Sequence, residues 1–298
     1  MRLAAIDIGS NAARLLIVDV TEGRDGVEEF NKLNLVRVPL RLGFDVFESS
    51  AIGKQRTEML LQSMKAFQHL LNVYGIEPKY LKACATSAMR DAKNSAEIIR
   101  KVKFETGIEI KIISGDEEAT LVYENHVAEN MDKQHGYLYI DVGGGSTELS
   151  FFTEGKLRYK QSFNIGTIRL LKGLVEEAHW ENMKSEIKKN IKGRFPVVAI
   201  GSGGNINKVF SLSKRKDGAA LSIGLLRDYY KEFSNVSLEE RIRLYKLRED
   251  RADVILPALQ VYVNVMKWAD AEEIYVPKIG LADGLVHLLY EELREEHL

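Results

Sequence analysis

Residues 138–149 read "LYIDVGGGSTEL", an apolar run that ends in Asp-Val-Gly at 141–143 and resumes at Leu149. The amino terminus carries a related stretch, in which Asp-Ile-Gly at 7–9 leads to Leu15. In both stretches five residues separate the glycine from the leucine, which we expect to begin a second strand. The pattern predicts an internal repeat, with one β-hairpin unit opening each of two domains.

The segments between and after these stretches fit two domains of mixed structure. Residues 3–36 predict a β-meander, and "KQRTEMLLQSMKAFQHLLNVYG" at 54–75 predicts a helix that ends at a glycine. We therefore predict an α/β protein in which two domains, residues 1–122 and 123–282, face each other across a cleft. A final helix over about 283–298 is expected to pack back on the first domain.

Three glycine loops are candidate phosphate-binding sites. A strand that turns sharply through glycine can present successive backbone N–H groups to one anion, and a helix that starts there adds partial positive charge. The loops read "DIGSN", "DVGGGST" and "GSGGN". The residues expected to bind phosphate are Ser10, Asn11, Gly143, Gly144, Gly145, Ser146, Thr147, Gly201, Ser202, Gly203 and Gly204.

An aspartate precedes the glycine in two of the three loops. Asp7 and Asp141 would place a carboxylate beside a phosphate, which is unfavourable unless a cation lies between them. Mg²⁺, held by one or two carboxylates together with water and phosphate oxygens, would supply that charge. The alternative is that each aspartate only caps its own turn.

Composition narrows the class of protein. The 298 residues carry a net charge of −1, which disfavours a protein that tracks a nucleic-acid polymer. Cys84 is the one cysteine, so no intramolecular disulfide or cysteine-ligated metal is expected. No signal-peptide or membrane-spanning run is visible, and we expect a cytoplasmic protein that does not bind membranes.

Five stretches together resemble the exopolyphosphatase/guanosine pentaphosphate phosphohydrolase family, within the actin/Hsp70/sugar-kinase superfamily. They read "AAIDIGSNAARLLI", "ATSAMRDAKN", "ISGDEEATLVY", "IDVGGGSTEL" and "GSGGNINKV", and "GLADG" at 280–284 extends the resemblance. The resemblance implies two ribonuclease H-like domains, and an enzyme that uses Mg²⁺ to release terminal phosphate from polyphosphate or pppGpp. Neither a Walker motif nor a dinucleotide fingerprint occurs.

The same resemblance implies roles for particular residues. Glu118, directly before the alanine of "SGDEEA", maps onto the proposed catalytic base, and Arg90 of "ATSAMR" maps onto a catalytic basic residue. Asp141 and Glu148 map onto essential acids, which with Asp7 are the expected metal ligands. If the resemblance is set aside, the sequence predicts that Glu118 is an ordinary acid in the first turn of a helix. It likewise predicts that Arg90 is a surface residue paired with an acidic side chain.

Some features leave the substrate open. Ala12 stands where the family usually has serine, and Ala282 stands where it usually has arginine. Family members with longer chains carry additional C-terminal helical domains, which are thought to help bind long polyphosphate. We therefore expect a preference for short polyphosphate or a nucleotide polyphosphate. A kinase or ATPase of the same superfamily and a non-catalytic sensor of alarmone or polyphosphate are the alternatives. The apolar helices within 222–270 predict either a homodimer interface or the core of the second domain.

Overall fold

The computed structural model of the chain describes residues 1–23, 26–123, 134–191 and 195–296. The chain divides into two compact units. Unit 1 comprises Met1–Ser114 and Leu281–Leu298, and unit 2 comprises Gly115–Gly280. The boundary expected near residue 122 falls at the far end of a helix, Gly115–Tyr123, that packs on two strands of unit 2.

Unit 1 is built on a sheet that, within the described ranges, has five strands. Its elements up to the boundary are β1 (Arg2–Ile8), β2 (Ala12–Glu22), β3 (Glu28–Pro39), α1 (Gly43–Ser49), α2 (Lys54–Tyr74), β4 (Leu81–Ala85), α3 (Ser87–Asp91), α4 (Ser95–Thr106) and β5 (Ile110–Ile112). The strand order is β3-β2-β1-β4-β5. β2 pairs antiparallel with both β1 and β3, whereas β4 and β5 continue the sheet in parallel from β1.

Unit 2 contains a sheet of six strands in the part of the chain that the structure describes, in the order β10-β11-β9-β6-β7-β8. Its elements are α5 (Gly115–Tyr123), β6 (Gly136–Val142), β7 (Thr147–Thr153), β8 (Lys156–Phe163), α6 (Thr167–Leu171), α7 (Glu177–Asn190), β9 (Val197–Ser202), α8 (Gly204–Ser213), β10 (Leu221–Ser222), α9 (Ile223–Ser234), α10 (Leu238–Tyr245), α11 (Glu249–Ala252), α12 (Ile255–Trp268) and β11 (Ala271–Tyr275). The last helix, α13 (Leu281–Glu295), belongs to unit 1.

The repeat predicted from the sequence is present in the topology. The run β8-β7-β6-β9-β11 of unit 2 follows the same order as β3-β2-β1-β4-β5 of unit 1. In both units the first strand pairs antiparallel with the second and parallel with the fourth. The predicted α/β class with two such domains is confirmed.

In both repeated hairpins the turn is shorter than predicted, since the second strand was expected to begin at Leu15 and at Leu149 but begins at Ala12 and at Thr147. The Gly9 amide donates to the Ala12 carbonyl at 3.0 Å, and the Gly143 amide donates to the Ser146 carbonyl at 2.9 Å. Each second strand therefore begins before the predicted leucine. The residue just ahead of that leucine consequently lies on the strand and not in the turn.

Local sequence explains where several elements end. α2 and α4 stop at Gly75 and Gly107, whose φ angles of +67° and +72° favour glycine. The hairpin between β7 and β8 turns at Glu154 and Gly155, with φ of +53° and +70°.

The core of each unit lies beside its sheet. In unit 1, Ile6 and Leu15 from the sheet pack with Met64 and Phe67 of α2. α13 packs against β1, β2 and β4. Among the described residues no helix is long and apolar enough to cross a membrane.

Candidate active site

Two carboxylates lie opposite each other in unit 2. Asp141 on β6 is the register partner of Glu148 on β7, and opposed residues of antiparallel strands project from the same face. Ser162 on β8 and Ser202 on β9 continue the row on either side. Glu148 is 3% exposed, and its Oε1 accepts a hydrogen bond from Ser162 Oγ at 2.9 Å. We call these four residues the acidic row.

The acidic row fits a divalent cation. Like charges directly opposite on two strands are destabilising, so a cation between or beside them would relieve the repulsion. Mg²⁺ commonly takes only one or two carboxylates and completes its shell with water and phosphate oxygens. Among the described residues, no group of three or more His, Cys, Asp or Glu side chains is placed to hold a metal ion. Asp141 and Glu148 are therefore the candidate ligands in unit 2.

Unit 1 carries the same aspartate with a different neighbour. Asp7 on β1 is 3% exposed and faces Arg14 on β2, whose Nη1 lies 2.5 Å from Asp7 Oδ2. Arg14 is the counterpart of Glu148 in the repeat, and Arg37 on β3 is its register partner on the other side. We call Asp7, Arg14 and Arg37 the basic row. Asp7, predicted as a metal ligand or a turn cap, forms an ion pair with Arg14.

The loop over 143–146 presents its amides in one direction. Its carbonyls accept hydrogen bonds from the start of α6: Thr167 N to Gly143 O at 3.0 Å, Ile168 N to Gly144 O at 2.8 Å, and Arg169 Nε to Gly145 O at 2.8 Å. In a trans peptide the N–H points opposite to the carbonyl. The N–H groups of residues 144–146 therefore point away from α6, a direction that would suit the binding of an anion.

Two residues support this loop from beneath. The Thr147 hydroxyl, expected to contact phosphate, is fully buried and donates to the Ile165 carbonyl. A Cβ on Gly166 would lie 2.4 Å from the carbonyl carbon of Gly145, so only glycine lets α6 approach the loop this closely. Sequence reasoning missed Gly166, although "NIGTIR" after the hairpin was an available signal.

The third glycine loop meets the acidic row. Gly203 has a φ of +96°, and a Cβ there would lie 2.9 Å from Asp141 Oδ1. Gly204 begins α8, so the positive end of that helix lies at the loop. Gly201 has a packing role, because a Cβ there would lie 2.8 Å from Ile274 Cδ1.

Tyr262 fixes the third loop from below. The phenol is 1% exposed and donates to the Ser202 carbonyl at 2.6 Å. Burial, and next the negative charge of Asp141, raise the pKa of Tyr262 well above 10. The hydroxyl consequently keeps its proton and its hydrogen bond at neutral pH.

Arg251 is a candidate phosphate ligand that the sequence analysis did not single out. Its Nη1 donates to Asn205 Oδ1 at 2.9 Å, and a Cβ on Gly204 would lie 2.6 Å from the same nitrogen. The guanidinium thus lies against the first turn of α8. The charged run "LREDRAD" was the only signal, and such runs are usually solvated surface.

Glu118 belongs to unit 2 with the acidic row. It lies in the first turn of α5, which packs on β7 and β8, and its Oε2 atom is buried. A Cβ on Gly115 would lie 2.6 Å from Ser162 Oγ and 3.5 Å from Glu148 Oε1. Residues three apart share a helix face, so Glu118 lies on the face that meets the acidic row.

The first glycine loop is tied to the rest of unit 1. Ser10 is 3% exposed, and its Oγ lies 2.7 Å from Ser87 Oγ at the start of α3. The Asn11 carbonyl accepts hydrogen bonds from the amides of Leu40 and Arg41 at 3.1 and 2.9 Å. These contacts fix the loop backbone and hold Ser10 beneath the surface.

The guanidinium of Arg90 is held by a hydrogen bond to a backbone carbonyl. Its Nη1 donates to the carbonyl of Ile113, the residue that follows β5, at 2.8 Å. The residue is half-buried on α3 in unit 1. The bond orients the guanidinium, whose fork geometry leaves other N–H groups that suit phosphate oxygens.

Comparison with known proteins identifies relatives of this chain. A sequence model of the Ppx/GppA phosphatase family matches residues 16–295. Exopolyphosphatase 1 of Mycobacterium tuberculosis is 25% identical over 311 residues, covering 96% of this chain and 87% of that protein. The bifunctional 3-dehydroquinate synthase/phosphatase of Fusobacterium nucleatum subsp. nucleatum is 35% identical over 172 residues, which is 56% of this chain. The match spans only 25% of that protein's length.

Solved structures agree on the fold. The Aquifex aeolicus Ppx/GppA family member aligns with a TM-score of 0.77 at 28% identity, over 100% of this chain and 99% of that one. An exopolyphosphatase from Cytophaga hutchinsonii aligns with a TM-score of 0.83 at 24% identity, over 98% of each chain. These likenesses establish the two-domain actin-like fold.

Proposed function

Because the chain belongs to the Ppx/GppA phosphatase family of phosphohydrolases, we propose that it is a Mg²⁺-dependent enzyme that removes the terminal phosphate of inorganic polyphosphate or of pppGpp. The observation that carries this proposal is the acidic row. Two carboxylates, Asp141 and Glu148, stand at the foot of a loop whose amides point together. A metal site beside an anion site is what phosphoanhydride hydrolysis requires.

Each part of unit 2 has a role in this proposal. The N–H groups of residues 144–146 and the first turn of α8 bind oxygens of the terminal phosphates. Asp141 and Glu148 would hold Mg²⁺, which when bound neutralises charge on the transferring group. Arg251 adds a charged donor at the start of α8. Arg90 of unit 1 is proposed as a catalytic basic residue, as the resemblance to the family implies.

Glu118 is proposed as the general base. Its carboxylate accepts a proton from water as the water oxygen bonds to the terminal phosphorus. The bond from that phosphorus to the bridging oxygen breaks, and its electron pair leaves with the shortened chain. The products are orthophosphate and a chain one phosphate shorter. The buried Oε2 and the fixed packing of α5 support this role.

A preference for short substrates is part of the proposal. The net charge of −1 gives the chain little general attraction for a long polyanion. We expect a higher kcat/KM for tripolyphosphate or pppGpp than for long-chain polyphosphate. The names of the relatives support polyphosphate, whereas the family name also covers the guanosine substrate.

The decisive experiment measures phosphate release from tripolyphosphate, long-chain polyphosphate, pppGpp and ATP, each with Mg²⁺, for the wild type and Glu118→Gln. Loss of a general base should lower kcat by about 10²–10⁴-fold. Glu117→Gln is the matched control, since Glu117 is the exposed neighbour in the same turn, and should retain kcat within about threefold.

Other outcomes point to other functions. Normal turnover by Glu118→Gln would assign the base elsewhere. Binding without phosphate release by the wild type would indicate a sensor. Phosphate transfer from ATP that depends on an added acceptor would indicate a kinase.

A further inference from the structure

β8, next to β7 in the sheet, holds the helix that carries Glu118. Lys160 Nζ donates to the Asp116 carbonyl and to Thr120 Oγ1, both at 2.9 Å. Thr120 Oγ1 in turn donates to the same carbonyl at 2.9 Å. One lysine thus joins the first and second turns of α5 to the strand beside it.

Helix stability does not explain a lysine in this position. The amino-terminal end of a helix carries partial positive charge, which disfavours a cation close by. The Asp116 carbonyl also has a place in the helical hydrogen-bond ladder, so it does not need a lysine to satisfy it. What Lys160 adds is a link between α5 and β8.

Ser162 provides a second contact on the same face of β8. Residues two apart on a strand project to the same side, so Lys160 and Ser162 both face α5. Ser162 packs on Gly115 and also donates to Glu148 Oε1 at 2.9 Å. β8 therefore contacts α5 at Gly115, the first residue of the helix, and again about one turn later at Thr120. Through Ser162, β8 also contacts Glu148 of the acidic row.

From this geometry we propose that Lys160 is a positioning residue for hydrolysis, which sets the place of Glu118 relative to the acidic row. The inference rests on the proposed role of Glu118. Lys160 acts through α5 and not by touching substrate. Its loss lets α5 move on the sheet and misplaces the base, and misplacements of about 1 Å can cost about 10²-fold in rate.

The test compares steady-state kinetics of Lys160→Met with Lys160→Arg and with Lys156→Met, an exposed lysine at the start of β8. We expect Lys160→Met to lower kcat by about tenfold or more and to leave KM within about threefold. Lys160→Arg keeps a cationic donor and should restore most of kcat. Lys156→Met should match the wild type.

A double variant separates positioning from general stabilisation. In a Glu118→Gln background, Lys160→Met should cause no further loss of kcat, since the residue through which it acts is already gone. Additive losses would overturn the proposal, and so would an effect confined to KM, which would make Lys160 a substrate ligand. Thr120→Val, which removes one of the two acceptors, should lower kcat in the same direction by a smaller factor. Wild-type kcat in Thr120→Val would also count against it.

Failure of this inference is distinguishable from failure of the proposed function. If Glu118→Gln abolishes turnover while Lys160→Met is fully active, Glu118 remains the base and only the positioning role of Lys160 is wrong. If Glu118→Gln is active, the base assignment fails first.

Discussion

One residue of the repeat separates the roles of the two units. Each first strand ends in an aspartate, and the residue opposite is Arg14 in unit 1 and Glu148 in unit 2. An arginine neutralises its aspartate, whereas a glutamate adds a second negative charge. The same hairpin therefore produces a basic row in one unit and a candidate cation site in the other.

Gly203 lies too close to Asp141 to accept a side chain without strain. Gly203→Ala should lower phosphate-release activity by about tenfold or more, because the new Cβ would lie 2.9 Å from Asp141 Oδ1 at a φ of +96°. Such strain should also lower the free energy of unfolding by about 1–3 kcal/mol. Kinetics and urea denaturation measure the two effects.

The matched control is Gly218→Ala. Gly218 also has a positive φ, +83°, but a Cβ there meets nothing within 4 Å. It should lose stability and keep its activity. Equal activity losses in the two variants would contradict the assigned contact between Gly203 and Asp141.

At the scale of elements, the position of α5 decides the assignment of Glu118. The acids at 116–118 would suit the first turn of any helix, since its dipole favours them. The packing of α5 on β7 and β8 is what brings Glu118 into the unit that holds the acidic row.

Gly115→Ala tests that packing. Alanine is the better helix former, but a Cβ at residue 115 would lie 2.6 Å from both Cβ and Oγ of Ser162. Overpacking of this kind costs about 1–3 kcal/mol. We expect α5 to shift and kcat to fall by about tenfold or more, as measured by phosphate release and thermal unfolding.

Gly224→Ala is the control for helix propensity. Gly224 lies in α9, where the nearest atom to an added Cβ is 3.7 Å away. It should keep full activity and gain about 0.5–1 kcal/mol of stability. A Gly115→Ala variant as active as this control would show that α5 is not held by close contact.

At the scale of the molecule, two tyrosines with raised pKa values limit stability at high pH. Burial raises the pKa of Tyr262 well above 10, and burial with the hydrogen bond to Glu232 raises the pKa of Tyr245 to about 12. The folded chain keeps these protons above pH 10, where the unfolded chain releases them. The free energy of unfolding therefore falls as the pH rises through this range.

We expect the free energy of unfolding to fall by about 1 kcal/mol per pH unit above 10 for Tyr262 alone. Urea denaturation at pH 9, 10 and 11 measures the slope. Tyr262→Phe should be less stable at pH 9, because the Ser202 carbonyl loses its partner, and should show a shallower slope. An unchanged slope in this variant would argue against Tyr262 as a source of the alkaline instability.

Much of the fold could be predicted because it depends on local sequence patterns. The helix over 54–74, the hairpin at Glu154 and Gly155, and the duplicated strand order all follow from periodicity, glycine and repetition. Short elements such as α3 and β10 were missed, since five residues or two carry no measurable period.

The repeat, the three glycine loops and the family can be recognised in the sequence, because short stretches of neighbouring residues carry each of them. Contacts between residues far apart in the chain were needed to show that Asp7 pairs with Arg14, that Thr147 supports its loop from inside, and that α5 packs with unit 2. Alternation along a strand tells which face a side chain occupies but not which residue of another strand stands opposite. Strand register makes that choice, and with it one aspartate becomes half of an ion pair and the other half of a candidate metal site.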